Sequence, residues 1–129
     1  MTAGGRARIF VIDDDPAMRH SICLLLDALG WEGRGFGDGE GYLATVETEA
    51  PDCVLLDLHL PGLNYPQILE RSRALGVRAP VIGITGDAED SPAAIDALRQ
   101  GAVEVLGKPM GEAVLSATIA RYLGPPPRG

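Results

Sequence analysis

The feature that most constrains this chain is a fivefold alternation of short apolar runs with segments of helical periodicity. Residues 9–12 (IFVI), 53–56 (CVLL) and 81–84 (VIGI) are continuous apolar runs, the pattern of strands covered on both faces rather than one. After the first run, Asp15 and Pro16 read as N-cap and first helical residue, and Met18, Ile22, Leu25, Leu26 and Leu29 recur at helical spacing before Gly30 stops the helix. A weak strand is predicted over 32–35 and a short helix over 39–48 that buries Tyr42, Leu43 and Val46. A helix over 66–75 closes at Gly76, and Ser91 with Pro92 opens another that carries Ile95 and Leu98 and closes at Gly101. A last strand over 103–106 precedes a helix over 112–123 with Val114, Leu115, Ile119 and Tyr122 turned inward. Strands alternating with helices in this way predict an α/β fold, a doubly wound five-stranded parallel sheet.

Length and charge narrow the function classes. At 129 residues the chain holds one core. It is predicted to form a single domain over 6–124, with residues 1–5 and 125–129 as flexible tails. Eighteen acidic residues against eleven basic ones give a net charge of −7, which argues against direct nucleic-acid binding, since that needs phosphates neutralised by Lys and Arg. No apolar run reaches the ~18 residues that a membrane span needs, and residues 1–8 lack the apolar middle of a secretory signal. A cytoplasmic location is expected. Cys23 and Cys53 have no metal or redox spacing and sit within apolar runs, where small buried hydrophobes belong.

In open α/β sheets, ligands bind beyond the carboxyl ends of the strands. Those ends are Asp13 and Asp14 after the first strand, Asp57 after the third, Thr85 after the fourth and Lys108 after the fifth. Three carboxylates, a hydroxyl and an ammonium thus share one sheet edge. Neighbouring carboxylates repel unless a cation intervenes, and an all-oxygen set suits a hard ion such as Mg²⁺. A carboxylate beside such an ion can act as nucleophile toward a phosphoryl group. Lys108 and the Thr85 hydroxyl would then each meet a phosphoryl oxygen.

Four stretches, FVIDDDP (10–16), VLLDLHLPG (54–62), VIGITGD (81–87) and GKP (107–109), together resemble the receiver domain of two-component response regulators over 7–123. The stretches around ITGD and GAVEVLGKP resemble receivers of nitrogen-fixation transcription regulators. The resemblance implies a flavodoxin-like (βα)5 fold with strand order 2-1-3-4-5. It implies that Asp57 takes a phosphoryl group from a sensor histidine kinase or phosphotransfer protein, so that the chain is a signalling phosphoacceptor rather than a separate enzyme. Asp14 would hold Mg²⁺ directly, Asp13 mainly through water, and Asp57 and the His59 backbone carbonyl would complete the protein ligands. Asp15 would be a helix cap outside the site. Regulators of this type usually carry a DNA-binding output domain after the receiver. Residues 124–129, nearly all Gly and Pro, read either as the start of a linker to such a domain or as a simple end. Homodimerisation through the fourth helix, fifth strand and fifth helix is the family's common mode.

Three features depart from the family pattern. Val105 stands where receivers usually carry an aromatic ring that moves with the threonine. Leu63, Asn64, Tyr65 and Pro66 replace a loop that usually contains glycine, and Tyr65 before proline is expected to be extended, its ring packing on the third helix or standing as an exposed contact. His59 and Asp87 flank the path of the water that hydrolyses an aspartyl-phosphate, so an ion pair between them would lengthen the phosphorylated lifetime. Gly86 should leave the site open to small phosphodonors. Other functions fit less well. Glycines at 33, 35, 37, 39 and 41 never form GxGxxG, and Gly107-Lys108 is followed by Pro109, so neither phosphate-loop motif is met; these glycines read as a mobile, weakly helical segment. A Mg²⁺-dependent phosphatase would need a second acid-base residue near Asp57, and His20 is placed on the outer face of the first helix. An interaction module that no longer uses phosphorylation is the third alternative, suggested by Val105.

Overall fold

A computed structural model describes residues 5–128. Five strands, β1 (Arg8–Ile12), β2 (Glu32–Phe36), β3 (Cys53–Asp57), β4 (Val81–Thr85) and β5 (Glu104–Gly107), alternate with α1 (Pro16–Ala28), α2 (Gly39–Val46), α3 (Tyr65–Ala74), α4 (Pro92–Arg99) and α5 (Glu112–Leu123). The sheet is wholly parallel, in the order β2-β1-β3-β4-β5. Both the alternation and the strand order agree with the expectation.

The apolar runs divide residue by residue between the two faces, because successive side chains on a strand point to opposite sides. Ile9, Val11, Cys53, Leu55, Ile82 and Ile84 join Ile22 and Leu26 of α1 and Leu115 and Ile119 of α5 in one cluster. Phe10, Ile12, Val54 and Leu56 join Tyr42 and Val46 of α2 and Ile68 and Leu69 of α3 in the other. Each such side chain contributes about 1.5–3 kcal/mol on leaving water, and central strands covered on both faces collect that gain at every position. Local signals agree at the helix ends. The Asp15 side chain accepts from the backbone of Ala17 and Met18, and Gly30 takes the positive φ that ends α1. Burial holds the Cys53 thiol at about 12, as befits a core residue.

Several expectations need correction. Tyr65 is not extended but is the first residue of α3, and Asn64 forms a reciprocal capping box with Gln67; two satisfied backbone donors outweigh the bias that Pro66 imposes. Val114 and Tyr122 of α5 point outward, with 52% and 38% of their surface exposed. Tyr122 donates its hydroxyl to Glu104, so its polar tip has a partner at the surface. Ile95 and Leu98 of α4 are also exposed. The glycines at 33–41 do not form a loose helix but belong to β2, a turn and the start of α2. Their smallness answers close approach. A Cβ on Gly35 would stand 2.7 Å from Arg19 Cγ, and one on Gly39 would stand 2.6 Å from Ile68 Cδ1. Residues 1–4 of the expected N-terminal tail, and residue 129, lie outside the described residues. Near the other end, the Arg128 N–H donates to the Leu29 carbonyl at 2.9 Å, which sets this stretch against the end of α1.

Tyr65 ties α3 to α4. Its ring packs against the buried cluster of Leu58, Ala97 and Ala102, and its hydroxyl donates to Asp96 Oδ2 at 2.5 Å. Burial, then the bond to Asp96, push the phenol up to about 12. Because this folded-state value exceeds the ordinary ~10, the bond's contribution is complete below pH 10 and is lost as pH rises toward 12. Tyr65→Phe is expected to lower stability by about 1 kcal/mol at neutral pH. Urea unfolding at pH 7 measures the loss, and a spectrophotometric titration should show one fewer late-ionising phenol in the variant.

Candidate functional site

The sheet register assembles the site. Ile12 pairs with Leu56, so Asp13 and Asp57, the next residues of adjacent strands, emerge side by side. Asp57 pairs with Ile84 and Thr85 with Gly107, so Thr85 and Lys108 follow one step further along the same edge. The Lys108 N–H donates to the Thr85 carbonyl at 2.6 Å, which closes this corner. Asp13, Asp57 and Thr85 are buried and Asp14 is exposed. Asp13, Asp14, Asp57, Thr85 and Lys108 are thus collected where the strand ends had placed them.

The carboxylates are held by short bonds of their own. Asp13 Oδ1 accepts from the Asp15 N–H at 2.9 Å, and Asp57 Oδ1 accepts from the His59 N–H at 2.9 Å. One oxygen from each of Asp13, Asp14 and Asp57 lies within 4.8 Å of the others. Lys108 Nζ stands between two of them, 3.0 Å from Asp13 Oδ2 and 3.3 Å from Asp57 Oδ2. The contact to Asp13 is one of charge and not of alignment, since Asp13 Oδ2 is buried without a hydrogen bond of proper geometry. Burial raises the Asp57 carboxyl above the ordinary carboxylate range, and the His59 N–H and the Lys108 ammonium offset only part of this. For Lys108, burial alone would lower the ammonium's pKa; the Asp13 and Asp57 carboxylates outweigh it, and the value is raised.

The donor set fits a hard divalent cation. It is all oxygen, it carries more negative charge than Lys108 neutralises, and Asp13 Oδ2 is a buried acceptor still lacking an aligned partner.

His59 and Asp87 do meet, with Nε2 3.1 Å from Asp87 Oδ2. His59 Nε2 also lies 3.0 Å from Thr85 Oγ1, and the Asp87 N–H donates to that same hydroxyl at 3.0 Å. Gly86 is exposed, with open space where a side chain would stand. Val105 pairs with Gly83, and a Cβ on that glycine would meet Val105 Cγ2 at 3.3 Å and Leu58 Cδ2 at 3.1 Å. His20 is exposed on α1, as expected.

Three contacts escaped the sequence reading. The Arg19 guanidinium donates to the Asp13 carbonyl at 2.7 Å and lies along Gly35; the bare glycine in an edge strand was the available signal. The Tyr65–Asp96 bond spans 31 residues, and no local pattern announces it. The contact of His59 with Thr85, in addition to Asp87, spans 26 residues and no local pattern announces it.

A parallel sheet of this order, with buried carboxylates and a lysine at its carboxyl edge, defines an α/β domain with an acidic, cation-receptive site at its strand ends. The chain belongs to the response regulator receiver domain family, whose model matches residues 9–120. It is 37% identical over 114 residues to the transcriptional regulatory protein FixJ of Bradyrhizobium diazoefficiens, covering 88% of this chain and 55% of that protein. It is 34% identical over 119 residues to nodulation protein W of the same organism, covering 92% of this chain and 52% of that protein. The chain therefore spans about half the length of these regulators. Among solved structures, full-length FixJ from B. japonicum superposes with a TM-score of 0.83 at 35% identity, covering 91% of this chain and 57% of that one. The receiver domain of the sensor histidine kinase PA1611 of Pseudomonas aeruginosa PAO1, with a magnesium ion in its active-site cleft, superposes at 0.84 with 25% identity, covering 93% and 99%. This is a receiver domain of two-component signalling, similar to those of the nitrogen-fixation regulators. Among the described residues, no helix is long and apolar enough to cross a membrane.

Removing the lysine should expose the cost of the carboxylate cluster. Lys108→Met is expected to destabilise the fold by about 1–3 kcal/mol, because the buried carboxylates lose a charged hydrogen-bond donor. Lys108→Arg, which keeps the charge, should recover most of that loss. Urea midpoints of the three proteins at neutral pH measure both effects.

Proposed function

We propose that Asp57 is the phosphoacceptor of this receiver and that the surrounding side chains serve that one reaction. The observation that carries the reading is the position of the Asp57 carboxylate, which emerges beside two further carboxylates and lies 3.3 Å from the Lys108 ammonium. A carboxylate oxygen of Asp57 forms the new P–O bond as the donor's P–N bond breaks, and the departing imidazole keeps the electron pair. The donor is a sensor histidine kinase or a phosphotransfer protein. With small donors such as acetyl phosphate, a P–O bond breaks instead, and exposed Gly86 leaves the approach clear. Asp57 carries the phosphoryl group itself, so the chain acts as a signalling phosphoacceptor and not as an enzyme with a separate substrate.

Asp14, Asp13, Asp57 and the His59 backbone carbonyl would hold Mg²⁺, Asp13 chiefly through water. When bound, the ion neutralises charge on the transferring phosphoryl oxygens. Lys108 is then free to leave the carboxylates and pair with a phosphoryl oxygen, and the Thr85 hydroxyl donates to another. The His59–Asp87 pair stands over this corner as a cover against hydrolytic water. Output runs toward α4 and β5, to a partner, a second copy of the domain or a DNA-binding domain in a longer protein. The similarity to the transcriptional regulatory protein FixJ, about twice as long, supports a role in transcription regulation.

Incubation with Mg²⁺ and acetyl phosphate should give one phosphorylated species by intact-protein mass spectrometry. Asp57→Ala should abolish it, and Asp14→Asn should slow it by about 10-fold or more, the usual scale for disturbing a metal's ligand shell. Persistence of the modification in Asp57→Ala would sink the assignment. No modification and no beryllofluoride binding in the wild type would instead favour a module that interacts without phosphorylation.

A further inference from the structure

The contacts of His59 concern the Thr85 hydroxyl as much as Asp87. We infer that His59, steadied by Asp87, is a positioning residue that fixes the Thr85 hydroxyl as a donor into the site. This rests on the reading of Asp57 as phosphoacceptor and adds a role for a side chain which that reading uses only as a cover.

The hydrogens are placed by the donors and acceptors present. Asp87, as a carboxylate, only accepts. Its Oδ2 lies 3.1 Å from His59 Nε2, so the favourable arrangement puts the ring hydrogen on Nε2. That hydrogen also faces Thr85 Oγ1, 3.0 Å away, and is shared between the two acceptors. Thr85 Oγ1 already receives the Asp87 N–H at 3.0 Å. A hydroxyl has two lone pairs and one hydrogen. With both lone pairs engaged by N–H donors, the Thr85 hydrogen has to point away from His59 and Asp87.

Thr85 is fully buried at the end of β4, one step beyond the residue that pairs with Asp57. On this inference, the hydrogen turned from His59 and Asp87 serves an acceptor entering at the strand edge that Thr85 shares with Asp57. The backbone N–H of Asp87 and the side chain of His59 thus act together on a single rotor. A hydroxyl oriented beforehand loses less freedom when it binds an anion. Exposure of the two side chains, 46% for His59 and 61% for Asp87, argues against a packing role for the pair, since neither is enclosed by the core.

The test is a double-mutant cycle on beryllofluoride binding to the full chain with Mg²⁺, read by calorimetry and by the ¹⁹F resonances of the bound adduct. His59→Ala is expected to weaken binding about fivefold, the scale of one well-oriented hydrogen bond, and to shift the ¹⁹F resonance of the fluorine nearest Thr85. His59→Gln, whose amide again offers an N–H, should recover most of the affinity. In a Thr85→Ala background, where the rotor is gone, His59→Ala should change affinity less than about twofold, since coupled residues lose additivity. Unchanged affinity in His59→Ala would overturn the inference, as would an equal loss with and without the Thr85 hydroxyl. Faster dephosphorylation at unchanged beryllofluoride affinity would also overturn it and leave His59 as a water cover only. Each of these outcomes leaves Asp57 as phosphoacceptor untouched. Absence of any Asp57-dependent binding in the wild type would remove that reading, and the inference with it.

Discussion

The Lys108 ammonium lying between the Asp13 and Asp57 carboxylates is the interaction on which the site depends. Parallel pairing of β1 with β3 sets two aspartates on neighbouring strands, both buried. Like charges so placed oppose folding unless something positive joins them. The fifth strand, at the far end of a crossover, delivers that charge. The arrangement is nevertheless incomplete, since three carboxylates face one ammonium and a buried oxygen of Asp13 has no aligned donor. That residual imbalance makes the edge receptive to a cation and to a group that can draw the lysine away.

Around this centre, side chains link the loop after Asp57 to the rest of the domain. Leu58 follows Asp57 directly, and its N–H donates to the Ile84 carbonyl. Leu58 joins Ala97 and Ala102 in a small buried cluster, against which Tyr65 and Val105 pack. Receivers usually place an aromatic ring in β5, and this chain has Val105 there. Here a ring enters the same region from the start of α3 instead, and its hydroxyl is anchored to Asp96 of α4. Gly83 in β4 lies against both Leu58 and Val105, and a Cβ there would stand 3.1 and 3.3 Å from them, so each would have to give by a few tenths of an ångström. Ile95 and Leu98 of α4 and Val103, just before β5, are also exposed.

Much of this was legible in the linear chain, for reasons that can be named. Continuous apolar runs report burial on both faces whatever the partner strand. Asp15-Pro16, Ser91-Pro92 and the terminal glycines act within a few residues, so helix ends were readable to within a residue or two. Tyr65 shows where local reasoning failed. A proline neighbour predicts extended backbone, but Asn64 and Gln67 satisfy each other's backbone donors and draw the helix one residue earlier. Val114 and Tyr122 show a second failure. Helical spacing identifies a stripe but not its width, and α5 buries only Leu115, Thr118 and Ile119.

By itself, the sequence determined the fold class and which candidate residues gather at the carboxyl edge of the sheet, because apolar periodicity and the residue types leaving each strand are local properties. It also placed His59 and Asp87 at the same corner. Only the tertiary structure decided which groups touch. The shared contact of His59 with Asp87 and Thr85, the lysine's position between two carboxylates and the Tyr65–Asp96 bond all join residues 26 or more positions apart. Such contacts are selected by strand register and by the space glycines leave open, and a register is a property of paired strands that no single stretch contains.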